Sequence, residues 1–201
     1  MRLFVGLAPS AAALDDLDAA CGPLRPGRGE LRWTSRELWH ITLAFLGDVS
    51  EDRLDRLLPR LERAARRHLV FGLSLAGAGA FPSRARANVL WSGLSGDKKA
   101  LGELAMSVAA GARRAGAPTP DLGRRYRPHV TLARCRMPAD VRAIVDQLSG
   151  YQGPAWTVDE IYLIRSTLGG DPRYETLGTW KLRTGLFSPG WEPRPGGSGA
   201  G

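Results

Sequence analysis

One five-residue pattern occurs twice in this chain, and no other feature restricts the possible folds as strongly. Residues 40–44 are His-Ile-Thr-Leu-Ala, and residues 129–133 are His-Val-Thr-Leu-Ala. Each copy is typical of a short, mostly apolar strand. Side chains two residues apart point to the same face of a strand, so each histidine shares a face with the threonine that follows it. The sequence therefore predicts two matched strands, each with a polar face and a face that is buried in a core.

If these two strands lie side by side, they bring two imidazoles and two hydroxyls to one surface. The four residues are His40, Thr42, His129 and Thr131. A single histidine in an apolar strand is more often structural than catalytic. Repetition of the whole pattern in a chain with three histidines nevertheless favours a catalytic pair. The third histidine, His68, lies in no motif, and we interpret it as a solvated cap at the C-terminal end of a helix.

Two histidines on one surface are suited to acid–base chemistry near neutral pH. One neutral imidazole can accept a proton while one charged imidazole donates another. The threonine hydroxyls are neutral donors that suit phosphate oxygens. The sequence shows no carboxylate cluster for magnesium-dependent phosphoryl transfer and no serine or cysteine nucleophile in a recognisable elbow. The pattern therefore favours in-line attack of water on a phosphodiester, and a strained cyclic phosphodiester is the easiest such substrate.

The remaining composition indicates neither a metal nor a membrane. The two cysteines, Cys21 and Cys135, and the three histidines have no zinc-ligand spacing, so we expect no metal and no cofactor. No apolar run approaches the length of a membrane span, and no leader-like segment opens the chain. We expect a soluble, cytoplasmic monomer with reduced thiols.

The chain is strongly basic, with a formal net charge of +8 from 28 Lys and Arg against 20 Asp and Glu. Such a charge attracts polyanions such as RNA. Arginine greatly outnumbers lysine, however, and alanine is abundant, which is also the composition that a GC-rich genome produces. The charge is compatible with a nucleic-acid substrate but does not by itself indicate one.

Residues beside the second motif are further candidates for substrate binding. Arg134 could bind phosphate, but simple alternation puts it on the face opposite His129. It reaches the cleft only if a bulge or the end of the strand intervenes. Tyr126 could stack on a base or pack in the core, and the sequence leaves both open. Pro128 fits the first residue or the edge of a strand, where it would position His129.

Hydrophobic periodicity predicts an α+β chain. Besides the two motif strands, we predict strands over 2–8, 31–33, 71–75, 88–91, 158–164 and 174–182, and helices over 11–20, 51–67, 98–114 and 139–148. Residues 77–87 are assigned to a hairpin loop, and Pro59 should kink its helix or divide it in two. Each motif strand precedes a helix, which predicts two similar lobes around a central cleft. Residues 1–187 would form this one domain, and the Gly- and Pro-rich residues 188–201 a disordered tail.

The paired motifs resemble those of the two-histidine phosphoesterase superfamily. Within it, the chain is similar to the bacterial and archaeal RNA 2′,3′-cyclic phosphodiesterases, historically named 2′-5′ RNA ligases. Four further segments agree with the resemblance, which covers about residues 2–183. They are the opening strand at 2–5, the extension of the first motif over 44–47, Tyr126-Arg127-Pro128 before and Arg134 after the second motif, and residues 163–168 together with Tyr174.

The resemblance implies a bilobal fold of pseudo-twofold antiparallel sheets flanked by helices. It also implies metal-independent hydrolysis of a terminal RNA 2′,3′-cyclic phosphate to a 2′-phosphate, with RNA ends or small cyclic nucleotides as substrates. His129 would be the base that activates water and His40 the acid at the 3′ oxygen, although the residues themselves leave this direction open. Thr42 and Thr131 would hold the phosphate, together with Arg134.

Two other interpretations stay open. The same histidines could act on another linkage, as a 2′-5′ RNA ligase or a 2′-5′ oligonucleotide phosphodiesterase. A non-catalytic RNA-end binder would be favoured only if the motifs were degraded, and both copies are intact.

Overall fold

The structure is a computed structural model that describes residues 1–120, 125–167 and 173–185. The predicted tail at 188–201 and Leu168 of the closing segment lie outside the described residues, and the domain boundary at residue 187 stays a prediction. Within the described ranges the elements are β1 (Arg2–Leu7), α1 (Ala11–Cys21), β2 (Leu31–Trp33), β3 (Ile41–Asp48), α2 (Leu54–Ala65), β4 (Phe71–Ser83), β5 (Arg86–Gly96), α3 (Lys98–Arg114), β6 (Val130–Ala139), α4 (Arg142–Gln147), β7 (Gln152–Val158), β8 (Glu160–Thr167) and β9 (Arg173–Lys181).

These strands form one antiparallel sheet in the order β7-β4-β5-β6-β3-β1-β8-β9, with β2 paired to β6. The two halves of the sheet meet where β3 pairs with β6 through Ile41 and Val130. Each of these residues directly follows a motif histidine in the chain. The predicted α+β class and the adjacency of the two motif strands are therefore confirmed. The two predicted lobes are the two halves of this continuous sheet.

The helices are partly exchanged between the halves. α1 follows β1 in the chain but packs against β7 and β4 in the other half, and α3 follows β5 but packs against β3. α2 and α4 stay with the half that contains the preceding strand, because α2 packs against β9 and α4 against β4. The same relation holds for both halves, which is the pseudo-twofold arrangement that the resemblance implies.

α3 matters most for the site because it flanks the first motif strand. The side chain of Asp97 caps it by accepting a hydrogen bond from the backbone N–H of Ala100 at 2.9 Å. Its buried stripe is the predicted one, Leu101, Leu104, Ala105, Val108 and Ala112. The opposite, outward face carries four residues at helical spacing, namely Met106, Ala109, Ala110 and Arg113.

The hairpin of β4 and β5 is longer than the sequence predicts. Most residues assigned to a loop at 77–87 belong to the two strands, and the turn itself is formed by Arg84 and Ala85. Glycine disfavours an isolated strand, which explains the error. Here Gly79 makes room for a ring on the paired strand: a Cβ at this position would lie 2.2 Å from the side chain of Trp91. Cross-strand packing therefore overrides the local propensity.

Three other predicted elements are corrected. The strand expected at 158–164 is β8, which begins at Glu160 and continues to Thr167, whereas the preceding strand β7 is not predicted from the sequence. Pro154 argues against a strand at β7 because proline has no backbone N–H to donate to a sheet. β7 is an edge strand, however, where a missing N–H is tolerated. α4 is shorter than 139–148 because β6 continues to Ala139, and α2 is undivided at Pro59 because its apolar face is buried on both sides of the proline.

His68 is not the solvated cap that the sequence predicts. It follows α2, and its Nε2 lies 2.8 Å from the hydroxyl of Ser107 on α3. Burial lowers the pKa of this histidine below its ordinary value of 6.5. His68 therefore joins two helices away from the motif strands. Among the helices that the structure describes, none is long and apolar enough to cross a membrane.

Candidate active site

The two motif histidines lie at the junction between the halves of the sheet. His40 immediately precedes β3, and His129 immediately precedes β6. Because these strands pair in antiparallel directions at Ile41 and Val130, the histidines flank one shared residue pair. Two histidines that are almost ninety residues apart in the chain therefore lie next to neighbouring strands.

Both imidazoles are fixed by the same kind of hydrogen bond. Nδ1 of His40 lies 2.7 Å from the carbonyl oxygen of Leu38, and Nδ1 of His129 lies 2.7 Å from the carbonyl oxygen of Arg127. A carbonyl oxygen can only accept, so Nδ1 carries the proton in each neutral ring. Each Nε2 is therefore the atom that accepts a proton when the ring is neutral and donates one when the ring is charged.

Aromatic rings surround both histidines. Phe4 and Tyr174 lie beside His40, with ring centroids 4.6 Å and 5.2 Å from that of the imidazole. Phe81 and Trp91 lie beside His129, at 5.1 Å and 6.2 Å. None of the four belongs to a histidine motif, and the sequence does not predict their position beside the imidazoles. They come from β1, β4, β5 and β9, so only the sheet topology reveals them.

Burial is the main reason that the pKa of His40 and the pKa of His129 are below the ordinary value of 6.5. The hydrogen bonds to the two carbonyls act in the opposite direction. The charge of Arg134 lowers the pKa of both histidines further, and that of Arg127 lowers the pKa of His129. Both rings are therefore neutral at pH 7 in the free protein.

The two threonines lie on the polar face of the strands, but their contacts differ. The hydroxyl of Thr42 lies 3.1 Å from Nε2 of His40, as expected from their shared face. Thr131 is half-buried on β6, where it pairs with Trp91 of β5. The first threonine thus contacts its own histidine directly, whereas the second is paired with Trp91 within its own half of the sheet.

Tyr126 packs against the core and also joins the two motifs. Its hydroxyl donates a hydrogen bond of 3.0 Å to the backbone carbonyl of Thr42, and burial raises the pKa of its phenol above the ordinary value of 10.0. The segment before the second motif is therefore attached to the strand of the first. Of the two possibilities that the sequence leaves open for this ring, its position fits core packing.

A β-bulge follows the threonine of each motif. In the β1–β3 ladder, Val5 pairs with Ala44 and Gly6 with Thr42, so Leu43 is passed over. In the β5–β6 ladder, Leu90 pairs with Ala133 and Trp91 with Thr131, so Leu132 is passed over. The bulged leucines are both buried. The same irregularity is thus built into both copies of the motif.

These bulges change which later side chains reach the cleft. Two buried residues in succession, Leu132 and Ala133, shift the alternation so that Arg134 is exposed on the side of His129. The sequence predicts that Arg134 reaches the cleft only if a bulge or the end of the strand intervenes, and this is such a bulge. Its charge also acts on the pKa of Tyr174 in the other half of the sheet. The equivalent position in the first motif, five residues after the histidine, is Phe45, which is 43% exposed.

A groove beside His129 runs along α3. It has a volume of about 580 Å³, and its walls include Thr42, His129 and the outward face of α3. This volume lies within the range of roughly 300–1,000 Å³ that is usual for ligand sites. Arg113, Arg125 and Arg127 also line it. The sequence gives no warning of this groove, because it depends on the packing of α3 against β3.

The chemical groups of the site suit proton transfer rather than metal binding. Among the residues that the structure describes, no group of three or more His, Cys, Asp or Glu side chains is close enough to hold a metal ion. The site offers two imidazoles, two hydroxyls and several guanidinium groups. Such groups can transfer protons and bind a negatively charged oxygen.

Comparison with known protein families agrees with this geometry. A family model described as the 2′-5′ RNA ligase superfamily matches residues 13–170, well over half of the chain. The chain belongs to this superfamily. Among solved structures, TT0787 of Thermus thermophilus has a TM-score of 0.74 and 28% identity, covering 92% of this chain and 99% of that one. E. coli LigT complexed with 3′-AMP has a TM-score of 0.71 and 26% identity, covering 90% and 96%.

Curated members of the superfamily are also similar in sequence. The RNA 2′,3′-cyclic phosphodiesterase of Thermus thermophilus is 30% identical over 197 residues, which cover 91% of each protein. That of Geobacillus stearothermophilus is 32% identical over 153 residues, which cover 75% of this chain. The chain spans only about half of the Geobacillus protein, at 47% of its length. The predicted family and fold are confirmed by these matches.

Proposed function

We propose that this member of the superfamily hydrolyses the terminal 2′,3′-cyclic phosphate of RNA to a 2′-phosphate. The observation that carries the proposal is the pair of imidazoles at the strand junction, each with Nδ1 fixed on a carbonyl and Nε2 available for proton transfer. The names of the relatives from Thermus and Geobacillus support the same reaction. RNA ends and small cyclic nucleotides are the corresponding substrates, and the net charge of +8 favours their approach.

In the proposed reaction, a water oxygen attacks phosphorus in line with the bond to the 3′ oxygen. The new P–O bond forms as the bond to O3′ breaks. Nε2 of His129 takes the proton of the water, and Nε2 of His40 gives a proton to O3′. The phosphate stays on O2′, and exchange of one proton with solvent at each ring restores the starting state.

The surroundings of the two rings support this direction. Burial is the largest effect on the pKa of both rings, and the charge of Arg134 lowers the pKa of both. The charge of Arg127 acts on the pKa of His129, where it favours the neutral ring that a base requires at the start. An anionic phosphate bound beside His40 would favour its charged ring. We therefore assign His40 as the acid.

The remaining predicted residues would hold the phosphate or its surroundings. We propose that the hydroxyls of Thr42 and Thr131 donate to phosphate oxygens and that Arg134 stabilises the charge that develops on them. Tyr126 would act through the backbone of Thr42, to which it donates its hydrogen bond, rather than by stacking on a base.

The first test is a product analysis by phosphorus NMR. The protein is incubated in EDTA with adenosine 2′,3′-cyclic phosphate and with an oligoribonucleotide that ends in a cyclic phosphate. A protein with both His40→Ala and His129→Ala, purified identically, controls for contaminating ribonuclease. A 2′-phosphate that only the unmodified protein produces is the expected result. A 3′-phosphate would reverse which oxygen leaves, and the absence of turnover would contradict the proposal.

A second candidate is action on 2′-5′ linkages, which the description of the superfamily favours. It is tested by adding a 2′-5′-linked dinucleotide, and separately a cyclic-phosphate end together with a 5′-hydroxyl end. Cleavage of the first or joining of the second, without hydrolysis of the cyclic phosphate, would replace the proposed reaction. Binding of RNA ends without any turnover would instead indicate a non-catalytic RNA-end binder.

A further inference from the structure

The groove beside His129 has an exposed apolar surface that acid–base chemistry does not require. Phe45 on β3 is 43% exposed and Met106 on α3 is 65% exposed, and both line the groove. Single exposed apolar side chains are common, but apolar side chains that share one groove form a patch of the kind that marks ligand sites. The groove is continuous with Thr42 and His129, so a substrate held there would extend directly from the reacting phosphate.

The position of Phe45 follows from the bulge in the first motif. Phe45 lies five residues after His40, and the bulge at Leu43 turns its side chain to the cleft side of the strand. The equivalent position of the second motif is Arg134. The two halves therefore present different chemistry at equivalent places. Arg134 offers a guanidinium to an anion, whereas Phe45 offers the face of an aromatic ring, and nucleobases stack on such rings.

The opposite wall is the outward face of α3. Beside Met106, the small side chains of Ala109 and Ala110 line this wall of the groove. One turn beyond them, Arg113 lies on the same face of the helix. None of the described residues that line the groove has a carboxylate, so its charge suits an anion. Apolar side chains with an arginine one helical turn beyond them match a nucleoside with a phosphate on its 5′ side.

We propose that this groove binds the terminal nucleoside of the RNA substrate, with its base between Phe45 and Met106 and its 5′ phosphodiester at Arg113. The site thereby recognises a nucleotide end as well as the cyclic phosphate itself. This inference rests on the proposed hydrolysis of cyclic phosphate ends, and it adds the residues that determine specificity for the nucleoside.

The experiment compares three substrates that add one feature at a time. Glycerol 1,2-cyclic phosphate has only the reacting group, adenosine 2′,3′-cyclic phosphate adds the base, and a dinucleotide ending in adenosine 2′,3′-cyclic phosphate adds the 5′ phosphodiester. Values of kcat/KM are measured for each. Binding of adenosine 2′-phosphate and of its dinucleotide counterpart is measured by calorimetry in parallel, so that the comparison does not depend on turnover.

Phe45→Ala and Met106→Ala should lower kcat/KM about tenfold for both nucleotide substrates, in line with the usual effect of losing a stacking contact. They should leave glycerol 1,2-cyclic phosphate unaffected, which also shows that the variants fold. Phe45→Trp should retain activity on the nucleotides. Arg113→Ala should lower kcat/KM about tenfold for the dinucleotide alone, as expected for a lost charged hydrogen bond.

Two matched controls test whether these losses are specific. Arg114→Ala removes the same charge from the neighbouring position of α3, which does not line the groove. Met137→Ala removes an exposed methionine of β6, which is 75% exposed and also outside the groove. Both should behave as the unmodified protein with all three substrates.

The possible failures are distinguishable. Equal losses with glycerol 1,2-cyclic phosphate and with nucleotides, or no loss at all, would overturn the nucleoside site while leaving the proposed hydrolysis intact. If the unmodified protein hydrolyses none of the substrates, the proposed function fails. The calorimetric comparison then tests the nucleoside site by itself. If Phe45→Ala and Met106→Ala bind adenosine 2′-phosphate with unchanged affinity, the nucleoside site is overturned, and an affinity about tenfold weaker supports it.

Discussion

The two halves of the sheet use the same framework for different surroundings of the histidine. In both, Nδ1 is fixed on a carbonyl two residues earlier, a threonine follows two residues later, and a bulge follows the threonine. They differ five residues after the histidine, where one half has Phe45 and the other Arg134. A repeated scaffold therefore fixes where the imidazoles are, and positions outside the repeat give the two halves different side chains beside the cleft.

The strongest test of this comparison is removal of either imidazole. His40→Ala and His129→Ala should each lower kcat by about 10²–10⁴-fold, because acid and base are both needed in one step. His68→Ala is the matched control, since this histidine contacts Ser107 rather than the strand junction. Circular dichroism should show that all three variants fold. Substantial activity in either motif variant would remove the acid–base pair from the mechanism.

The next test makes the second half resemble the first. Arg134→Phe should lower kcat/KM by about 10²-fold, because it removes a charged donor proposed to act on the transition state. Arg134→Lys should restore part of the loss. Arg136→Ala, which removes the same charge two residues farther along β6, should have no such effect. An Arg134→Phe enzyme with unchanged kinetics would show that the difference between the halves does not concern phosphate.

The pH dependence tests the shared feature, burial of both rings. The pKa of each histidine is lowered in the free protein, mainly by burial, so kcat/KM should be bell-shaped with its maximum below pH 6.5. On the basic side it should fall about tenfold per pH unit, as the charged acid is lost. Arg134→Lys keeps the charge and should retain this optimum, whereas Arg134→Phe should move it upward because the pKa of both histidines rises. A flat profile from about pH 5 to 9 would contradict acid–base catalysis.

A smaller effect is expected from filling the space that glycine leaves in each half. A Cβ at Gly79 would lie 2.2 Å from Trp91, the ring beside His129, whereas a Cβ at Gly6 would lie 3.6 Å from the ring of His40 and 3.1 Å from a backbone oxygen. Gly79→Ala should lower the free energy of unfolding by about 1–3 kcal/mol, as overpacking usually does, and Gly6→Ala by less. Chemical denaturation measures both. Equal effects would mean that the ring of Trp91 moves aside freely.

The smallest effect concerns the hydrogen bond that joins the two motifs. Tyr126→Phe should lower the free energy of unfolding by about 1 kcal/mol and reduce kcat, because the carbonyl of Thr42 loses its donor. Tyr151→Phe removes a hydrogen bond to Asp16 away from the site and should leave kcat unchanged. If both variants retain full kcat, Tyr126 has no part in positioning the first motif.

The sequence predicts the centre of the site well because the signal there is local and repeated. The adjacency of His40 and His129, and the contact of His40 with Thr42, follow from strand alternation and from the repeat itself. Alternation fails after each threonine, because it assumes a regular ladder and the bulges at Leu43 and Leu132 depend on the paired strand. For that reason Arg134 could only be predicted conditionally.

Features that depend on distant strands could not be predicted. Phe4 and Tyr174 come from opposite ends of the chain, and nothing local marks either as a neighbour of His40. The strand around Gly79 cannot be predicted for a similar reason. Glycine is suited to this position because it leaves room for the ring of Trp91 on the paired strand. The contact of His68 cannot be predicted either, because its partner, Ser107, belongs to a helix far along the sequence.

The exchange of α1 and α3 between the halves has a consequence for how the protein folds and for how its two halves move relative to each other. Neither half of the sheet can cover its apolar face with helices from its own part of the chain alone, because each takes one helix from the other. Cutting the chain between α2 and β4 would separate α1 from the strands that it covers and would also separate β1 and β3 from β8 and β9 of the same half, so we expect two fragments that become ordered only together. We expect this interlocking to oppose a clamshell motion of the halves, so that the spacing of the two imidazoles would be set when the chain folds rather than when a ligand arrives.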